Sequence, residues 1–125
     1  MALSWEQVVV DAADPRGLGQ WWATALGWQV VAAEDDEVEI RKAPDIEPGL
    51  LFLGVSEEKA GKNRLHIDLR PDDQAAEVDR LVGLGAQRVD IGQGDVSWVV
   101  LADPEGNEFC VLSGGTPAAQ TDPSA

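Results

Sequence analysis

The side chains best suited to chemistry begin with His66, the only histidine of the chain. Histidine titrates near neutral pH and can act as a general base or bind a metal ion. Asp68 and Arg70 follow at two-residue steps, and a β-strand would place all three side chains on one face. This spacing predicts a polar strand face that can bind or activate a small molecule; a structural histidine held by hydrogen bonds is the alternative.

A second pair of candidates, Glu108 and Cys110, lies near the end of the predicted globular region. Their two-residue spacing also favours one face of a strand. A carboxylate near His66 could orient the imidazole, so we assign candidate catalytic roles to His66 and Glu108. Cys110 is the only cysteine, which excludes an internal disulfide and any multi-cysteine metal site. No second histidine could support a nucleophilic role for its thiol.

Two further residues complete the predicted site. Gln7 lies on the first expected strand, on the face that Asp11 would share. Trp98 lies on a strand near the turn at 103–107 and offers a flat apolar surface for a ligand. The predicted ligand-binding residues are therefore Gln7, Asp68, Arg70, Trp98 and Cys110.

The first half of the chain predicts a strand, a helix and three more strands. A β-branched run favours a strand over 5–11. Asp14-Pro15 is typical of a helix start, and Gly27 suits the helix end. Further strands are expected over 28–33, 38–41 and 50–55, with a loop at 43–49.

The same order of elements repeats in the second half. A strand over 64–70 is followed by a helix that begins after Asp72 or Asp73 and ends at Gly85. Further strands are expected over 87–91, 98–101 and 108–112. The match indicates a tandem duplication, with two unrelated α+β halves as the alternative.

The duplication predicts an α+β fold of two βαβββ modules, about 3–56 and 62–113, in one domain over 1–113. Apolar residues such as Val8, Leu65 and Phe109 would pack under the helices. The opposite faces would form a curved mixed sheet or open barrel around a cavity. The segment 114–125 has no apolar pattern and is predicted to be a disordered tail.

The chain has 125 residues and a formal net charge of −14, from 23 acidic and 9 basic side chains. Such a surface repels phosphate groups, so nucleic acid and membranes are not expected partners. No apolar run is long enough to cross a bilayer, and the first residues lack a secretory signal. We therefore expect a cytoplasmic protein whose acidity serves solubility, or alternatively favours a cationic ligand.

Three stretches resemble the vicinal oxygen chelate superfamily, which includes glyoxalase I, the extradiol dioxygenases and the bleomycin- and fosfomycin-resistance proteins. They are the helix with Trp21-Trp22 that ends in Leu26-Gly27-Trp28, the strand Leu65-His66-Ile67-Asp68-Leu69, and Asp103-Pro104-Glu105-Gly106-Asn107-Glu108-Phe109. The resemblance spans residues 5–113, approximately. Within the superfamily, the chain most resembles the small glyoxalase-like domain proteins common in actinobacteria. It implies the fold built from duplicated modules.

The resemblance also implies a divalent metal such as Zn, Ni, Fe or Mn, bound by residues on the first and last strands of each module. The matching positions are Gln7, His66 and Cys110, with a fourth near Leu53. Leu53 has no donor atom, and Cys110 stands where the family has a glutamate. We therefore expect the standard four-ligand site to be missing; a metal site of His66, Gln7 and Cys110, with Glu108 as a substitute, is the alternative.

Three functions remain open at this point. The first is a glyoxalase/bleomycin-resistance-like protein that binds a small molecule in the cavity between the modules. The second is a metal-dependent lyase, isomerase or dioxygenase that uses His66 and Glu108. The third is a protein-interaction domain with a filled cavity. The resemblance implies a homodimer in each case.

Overall fold

The computed structural model describes residues 4–63, 65–90, 92, 94 and 96–114. The contacts between Cα atoms divide the chain into two compact units, the first ending at Ala60 and the second beginning at Gly61. This boundary falls in the polar connector between the two predicted modules. None of the helices in the described part of the chain is long and apolar enough to cross a membrane.

The first unit consists of one helix and a four-stranded mixed sheet. Its elements are β1 (Gln7–Ala12), α1 (Pro15–Leu26), β2 (Gln29–Ala33), β3 (Glu37–Arg41) and β4 (Gly49–Gly54). The strand order is β1-β4-β3-β2. β1 and β4 run parallel, whereas the other two pairs are antiparallel. The predicted elements of this half are confirmed to within one or two residues.

The bounds of α1 follow from its capping residues. The Asp14 carboxylate accepts a hydrogen bond from the Gly17 N–H at 3.1 Å, and Pro15 occupies the first helical position. This arrangement satisfies one of the donors that every helix start leaves without a partner. Gly27 ends the helix with φ at 69°, a left-handed conformation that other residues adopt at a cost.

The core of the first unit forms where α1 lies close against the sheet. Leu18, Trp22, Ile40 and Phe52 are all buried. A Cβ atom added at Gly19 would lie 2.7 Å from Cγ1 of Val38, so the missing side chain allows the helix to approach the strand. Trp22, one of the two adjacent tryptophans, is 3% exposed and therefore belongs to this core.

The second unit repeats this plan with shorter strands. Its elements are β5 (Ile67–Leu69), α2 (Gln74–Gly83), β6 (Gln87–Arg88), β7 (Val99–Ala102) and β8 (Glu108–Val111). The strand order is β5-β8-β7-β6, with β5 and β8 parallel and the other pairs antiparallel. The two four-stranded mixed sheets and two helices confirm the α+β class and the βαβββ order of each half.

The start of β5 differs from the prediction. The alternating pattern predicts a strand over 64–70, but the first paired residue is Ile67, which lies opposite Phe109 of β8. Leu65 precedes the paired region and is 87% exposed, so its expected packing under a helix is wrong. Alternation of residue types favours a strand, but the strand persists only where a neighbouring backbone completes its hydrogen bonds.

Two other expectations for the second half concern the end of β6 and the start of the tail. β6 ends at Arg88 instead of 91, and Ile91 lies outside the described residues. The predicted disordered tail begins at 114; Gly114 is described, while 115–125 lie outside the described residues. Asp73 caps α2 as expected, because its carboxylate accepts a hydrogen bond from the Ala76 N–H at 3.1 Å.

Candidate functional site

Three side chains with metal-binding and acid–base chemistry meet in the second unit. Nδ1 of His66 lies 3.4 Å from Oδ1 of Asp68 and 3.9 Å from Sγ of Cys110. The ligand atoms of all three residues lie within 4.8 Å of one another. An imidazole nitrogen, a carboxylate oxygen and a thiol sulfur therefore share one small volume.

The pairing of β5 with β8 brings these residues together. Asp68 lies opposite Cys110, and Cys110 lies opposite Val100 of β7. Paired residues of neighbouring strands point to the same side of a sheet, and His66 stands two residues before Asp68. We call the side of the second sheet that carries His66, Asp68, Cys110 and Val100 the His66 face.

The turn before β8 is held together by the buried Asp103. Asp103 is 4% exposed. Its carboxylate accepts hydrogen bonds from the N–H groups of Glu105 and Asn107, at 2.9 and 3.0 Å. The Asn107 side-chain amide also donates to both carboxylate oxygens, at 3.1 and 2.9 Å. The Asp-Pro-Glu-Gly-Asn motif thus forms the β7–β8 connection. β8, which carries Cys110, begins directly after it.

The site combines a buried thiol with partly exposed polar groups. Cys110 is 2% exposed and belongs to a buried cluster with Val100 and Leu112, against which Val89 and Trp98 pack. The side chains of His66 and Asp68 are 33% and 26% exposed. A ligand can therefore reach the imidazole and the carboxylate from solvent, while the sulfur lies in an apolar setting.

Glu108 makes a different contact from the one that the sequence suggests. Its carboxylate accepts a hydrogen bond from the Asn63 backbone N–H at 2.8 Å, and the Asn63 side chain donates to the Glu108 carbonyl at 3.4 Å. Asp68, not Glu108, is the carboxylate grouped with His66 and Cys110. The catalytic role assigned to Glu108 stays a prediction, and its observed contact holds the connector before β5.

The remaining predicted site residues are Gln7, Arg70 and Trp98. Gln7 is a half-buried residue of β1 in the first unit, where it pairs with Gly49. Arg70 follows β5 and is exposed, and Trp98 is half-buried just before β7. The ligand-binding roles of Gln7, Arg70 and Trp98 stay predictions.

The position near Leu53, where the resemblance implies a fourth metal ligand, has no donor atom in this chain. The position near Leu53 falls in β4, where Leu53 is half-buried and pairs with Asp11 and Glu37. A leucine side chain has no lone pair for a metal ion, so this position cannot supply a ligand. The group that could hold a metal ion consists of His66, Asp68 and Cys110. The family resemblance did not imply Asp68 as a metal ligand.

The first unit also contains a buried charge cluster that the sequence patterns did not predict. Arg41 is 6% exposed and donates to the carboxylates of Glu39 and Glu6 and to the Ile46 carbonyl. The hydrogen bond with Glu39 raises the pKa of Arg41 above its ordinary value, burial opposes this, and Glu6 adds to the rise. A raised pKa means that only strong alkali removes the proton from Arg41 and, with it, the stability that depends on its charge.

Arg41 could not be found by spacing, because Glu6 lies 35 residues away from it. The Arg41 donors are directed at groups of the same unit, so this cluster ties the 42–48 loop and the start of β1 to β3. Its role is therefore structural. The side chains of His66 and Asp68 differ from it in being partly exposed to solvent.

The chain has the fold of solved glyoxalase/bleomycin-resistance/dioxygenase proteins. A bleomycin-binding protein from Streptomyces verticillus, solved with copper(II)-bleomycin, has a TM-score of 0.61 at 16% identity, covering 92% of this chain and 99% of that one. The fosfomycin resistance protein FosX from Mesorhizobium loti has a TM-score of 0.65 at 17% identity, with 94% of each chain covered. Protein ATC0852 from Agrobacterium tumefaciens reaches 0.68 at 13% identity, covering 91% and 99%. These identities support a shared fold alone.

The fold and the motifs together place the chain in the vicinal oxygen chelate superfamily. A family model described as a glyoxalase-like domain matches residues 7–112, which is most of the chain. The chain therefore belongs to the glyoxalase-like domain family, as its three motif stretches imply. No curated protein matches its sequence.

Proposed function

We propose that this protein binds a small molecule on the His66 face of its second unit, in the manner of the resistance-type members of its superfamily. The observation that carries the proposal is the combination of accessible polar groups and apolar surface on one face. His66 and Asp68 are partly exposed, and beside them lies the buried cluster that Trp98 covers in part. Ligand sites typically combine an apolar lining with a few convergent polar groups.

The polar pair supplies recognition of a hydrogen-bonding or charged group. Nδ1 of His66 and Oδ1 of Asp68 are 3.4 Å apart, so one ligand atom can approach both. Asp68 is an acceptor when ionised, whereas His66 can donate or accept. A ligand that presents an amine or heteroaromatic N–H matches this pair.

The charge of the whole chain favours a cationic ligand over an anionic one. The formal net charge of −14 raises the local concentration of cations and repels anions. The structural neighbour from Streptomyces verticillus was solved with copper(II)-bleomycin, so bleomycin is a reasonable first probe for this chain. The expected ligand class is a cationic or amine-bearing small molecule with an aromatic part.

Protein-detected NMR with a library of amine-bearing heteroaromatic fragments, and with bleomycin, tests the proposal. We expect binders to shift the amide signals of His66, Asp68 and Cys110 and the indole signal of Trp98. Trp98→Leu should weaken binding, whereas Trp5→Leu is the matched control because Trp5 is 66% exposed in the first unit. Binders that shift only signals of the first unit, or a library without any binder at the His66 face, would contradict the proposal.

We also propose that the protein is a cytoplasmic homodimer; the superfamily resemblance implies the dimer. Light scattering coupled to size-exclusion chromatography should give twice the chain mass of 13.3 kDa. A mass that stays at one chain over a wide concentration range would remove the dimer from the proposal and leave the ligand site intact.

A further inference from the structure

We propose that His66, Asp68 and Cys110 bind one zinc-like divalent cation within the second unit alone. This site differs from the superfamily pattern, because it takes its carboxylate from Asp68 and needs no residue of the first unit. It goes beyond small-molecule binding and does not depend on it, since the metal ion can be tested without any organic ligand.

The distances between the three ligand atoms suit tetrahedral coordination. Zinc bonds of about 2.0 Å to nitrogen, 2.1 Å to oxygen and 2.3 Å to sulfur place the ligand atoms roughly 3.4–3.6 Å apart. The nitrogen–oxygen separation is 3.4 Å and the nitrogen–sulfur separation is 3.9 Å. All three separations lie within 4.8 Å, so metal binding requires side-chain rotations that draw the sulfur closer to the other two atoms.

The chemistry of the donor set selects the class of metal. A thiolate and an imidazole favour borderline-soft cations such as Zn²⁺, whereas Mg²⁺ and Ca²⁺ prefer sites made of oxygen atoms. On binding, the Cys110 S–H bond breaks, the sulfur keeps the electron pair for the metal, and the proton passes to solvent. The thiolate and the carboxylate together balance the charge of a divalent ion.

The same geometry argues against a cysteine nucleophile activated through a histidine relay. Such a relay uses one imidazole nitrogen for the nucleophile and the opposite nitrogen for the carboxylate. Here Nδ1 alone faces both Sγ of Cys110 and Oδ1 of Asp68. Three donors that converge on one point form a chelating arrangement instead.

Three protein ligands leave a fourth position for water or for a donor atom of a bound molecule. The partial exposure of His66 and Asp68 places this open side toward solvent, while the buried Cys110 lies behind it. The pairing of β5 with β8 holds Asp68 and Cys110 side by side before any metal arrives. Binding should therefore proceed without refolding of the unit.

Titration of reduced, chelator-treated full-length protein with Co²⁺, followed by competition with Zn²⁺, tests the site. We expect one equivalent of Co²⁺ to produce a thiolate-to-metal charge-transfer band and tetrahedral d–d bands, which Zn²⁺ then removes. Cys110→Ala should abolish the charge-transfer band, and Cys110→Ser serves as a second variant of nearly the original size. His66→Asn and Asp68→Asn should weaken Zn²⁺ binding by at least about tenfold.

Asp79→Asn is the matched control for Asp68→Asn, because Asp79 is an exposed carboxylate on α2 of the same unit. It should leave the Zn²⁺ affinity unchanged. The proposal is overturned if wild-type protein gives no charge-transfer band in excess Co²⁺, or if Asp79→Asn weakens binding as much as Asp68→Asn. Fragment binding to the metal-free protein is measured separately, so failure of the metal site and failure of small-molecule binding give different results.

Discussion

The two units share an element order and a sheet order, but they use their polar side chains differently. In each unit the first and last strands run parallel at one side of a four-stranded sheet. The first unit buries Arg41 between Glu39 and Glu6, and directs its donors at groups of the same chain. The second unit leaves His66 and Asp68 partly exposed beside a buried thiol.

The difference separates a charged cluster that stabilises the first unit from a polar group of the second unit for which we propose a role in binding. A buried guanidinium whose donors face acceptors of its own unit is shielded from ligands, and it fixes a loop. An imidazole and a carboxylate that remain in contact with solvent can still exchange partners. The predictions below change one unit at a time, so that each tests this division of roles.

The largest effects on stability are expected in the two apolar cores. Phe52 of β4 and Phe109 of β8 are 0% and 1% exposed. Replacing either by alanine should lower the free energy of unfolding by about 3–5 kcal/mol, because the cavity forfeits packing contacts as well as burial. Urea unfolding measures both values. A loss below about 1 kcal/mol in only one variant would show that the units do not have equivalent cores.

A second effect should separate Arg41 from His66. Arg41→Leu leaves the Glu39 carboxylate, whose side chain is 18% exposed, without its main donor. We expect a clear drop in the urea midpoint, smaller than that of Phe52→Ala. His66→Asn should change the free energy of unfolding by no more than about 0.5 kcal/mol, as for other partly exposed positions. Equal losses for the two variants would break the comparison.

Glu108→Ala tests whether the Glu108 carboxylate is a structural group. Loss of its hydrogen bond from the Asn63 N–H should cost about 1.5 kcal/mol, since one partner is charged. Glu108→Gln keeps an acceptor oxygen and should recover most of this loss. Amide hydrogen exchange at Asn63 provides the local readout, and unchanged protection in Glu108→Ala would rule out the structural role.

The smallest effects are expected at the helix caps, where the two units are most alike. Asp14 and Asp73 each accept a backbone N–H three residues further along, both at 3.1 Å. Alanine at either position should cost about 1 kcal/mol in thermal or urea unfolding. Values that differ by much more than about 1 kcal/mol would show that the two caps are not equivalent.

The elements of the fold could be predicted because their signals are local. Asp14-Pro15, Gly27 and Asp73 act on their own helix, and strand alternation needs only neighbouring residues. The ends of β5 and β6 could not be predicted in this way, since they depend on pairing with strands that are distant in the sequence. The exposed Leu65 shows the limit, because its residue type indicates burial while its position before the paired region exposes it.

The candidate site was predictable in part for the same reason. The two-residue spacing of His66 and Asp68 and of Glu108 and Cys110 indicated shared faces before the structure was known. Which members meet depends on the register of β5 against β8, which pairs Asp68 with Cys110. Register is a long-range property, so the sequence alone did not show that Cys110 would join His66 and Asp68 while the Glu108 carboxylate contacts Asn63.

Anomalous diffraction at the zinc edge, from crystals of the full chain grown with one equivalent of Zn²⁺, tests the central claim most directly. That claim is that the donor atoms of the His66 face form a cation site within the second unit. The account predicts one strong peak about 2.0–2.3 Å from Nδ1 of His66, a carboxylate oxygen of Asp68 and Sγ of Cys110. A strongest peak at carboxylates of the first unit, with no density between these three residues, would contradict it.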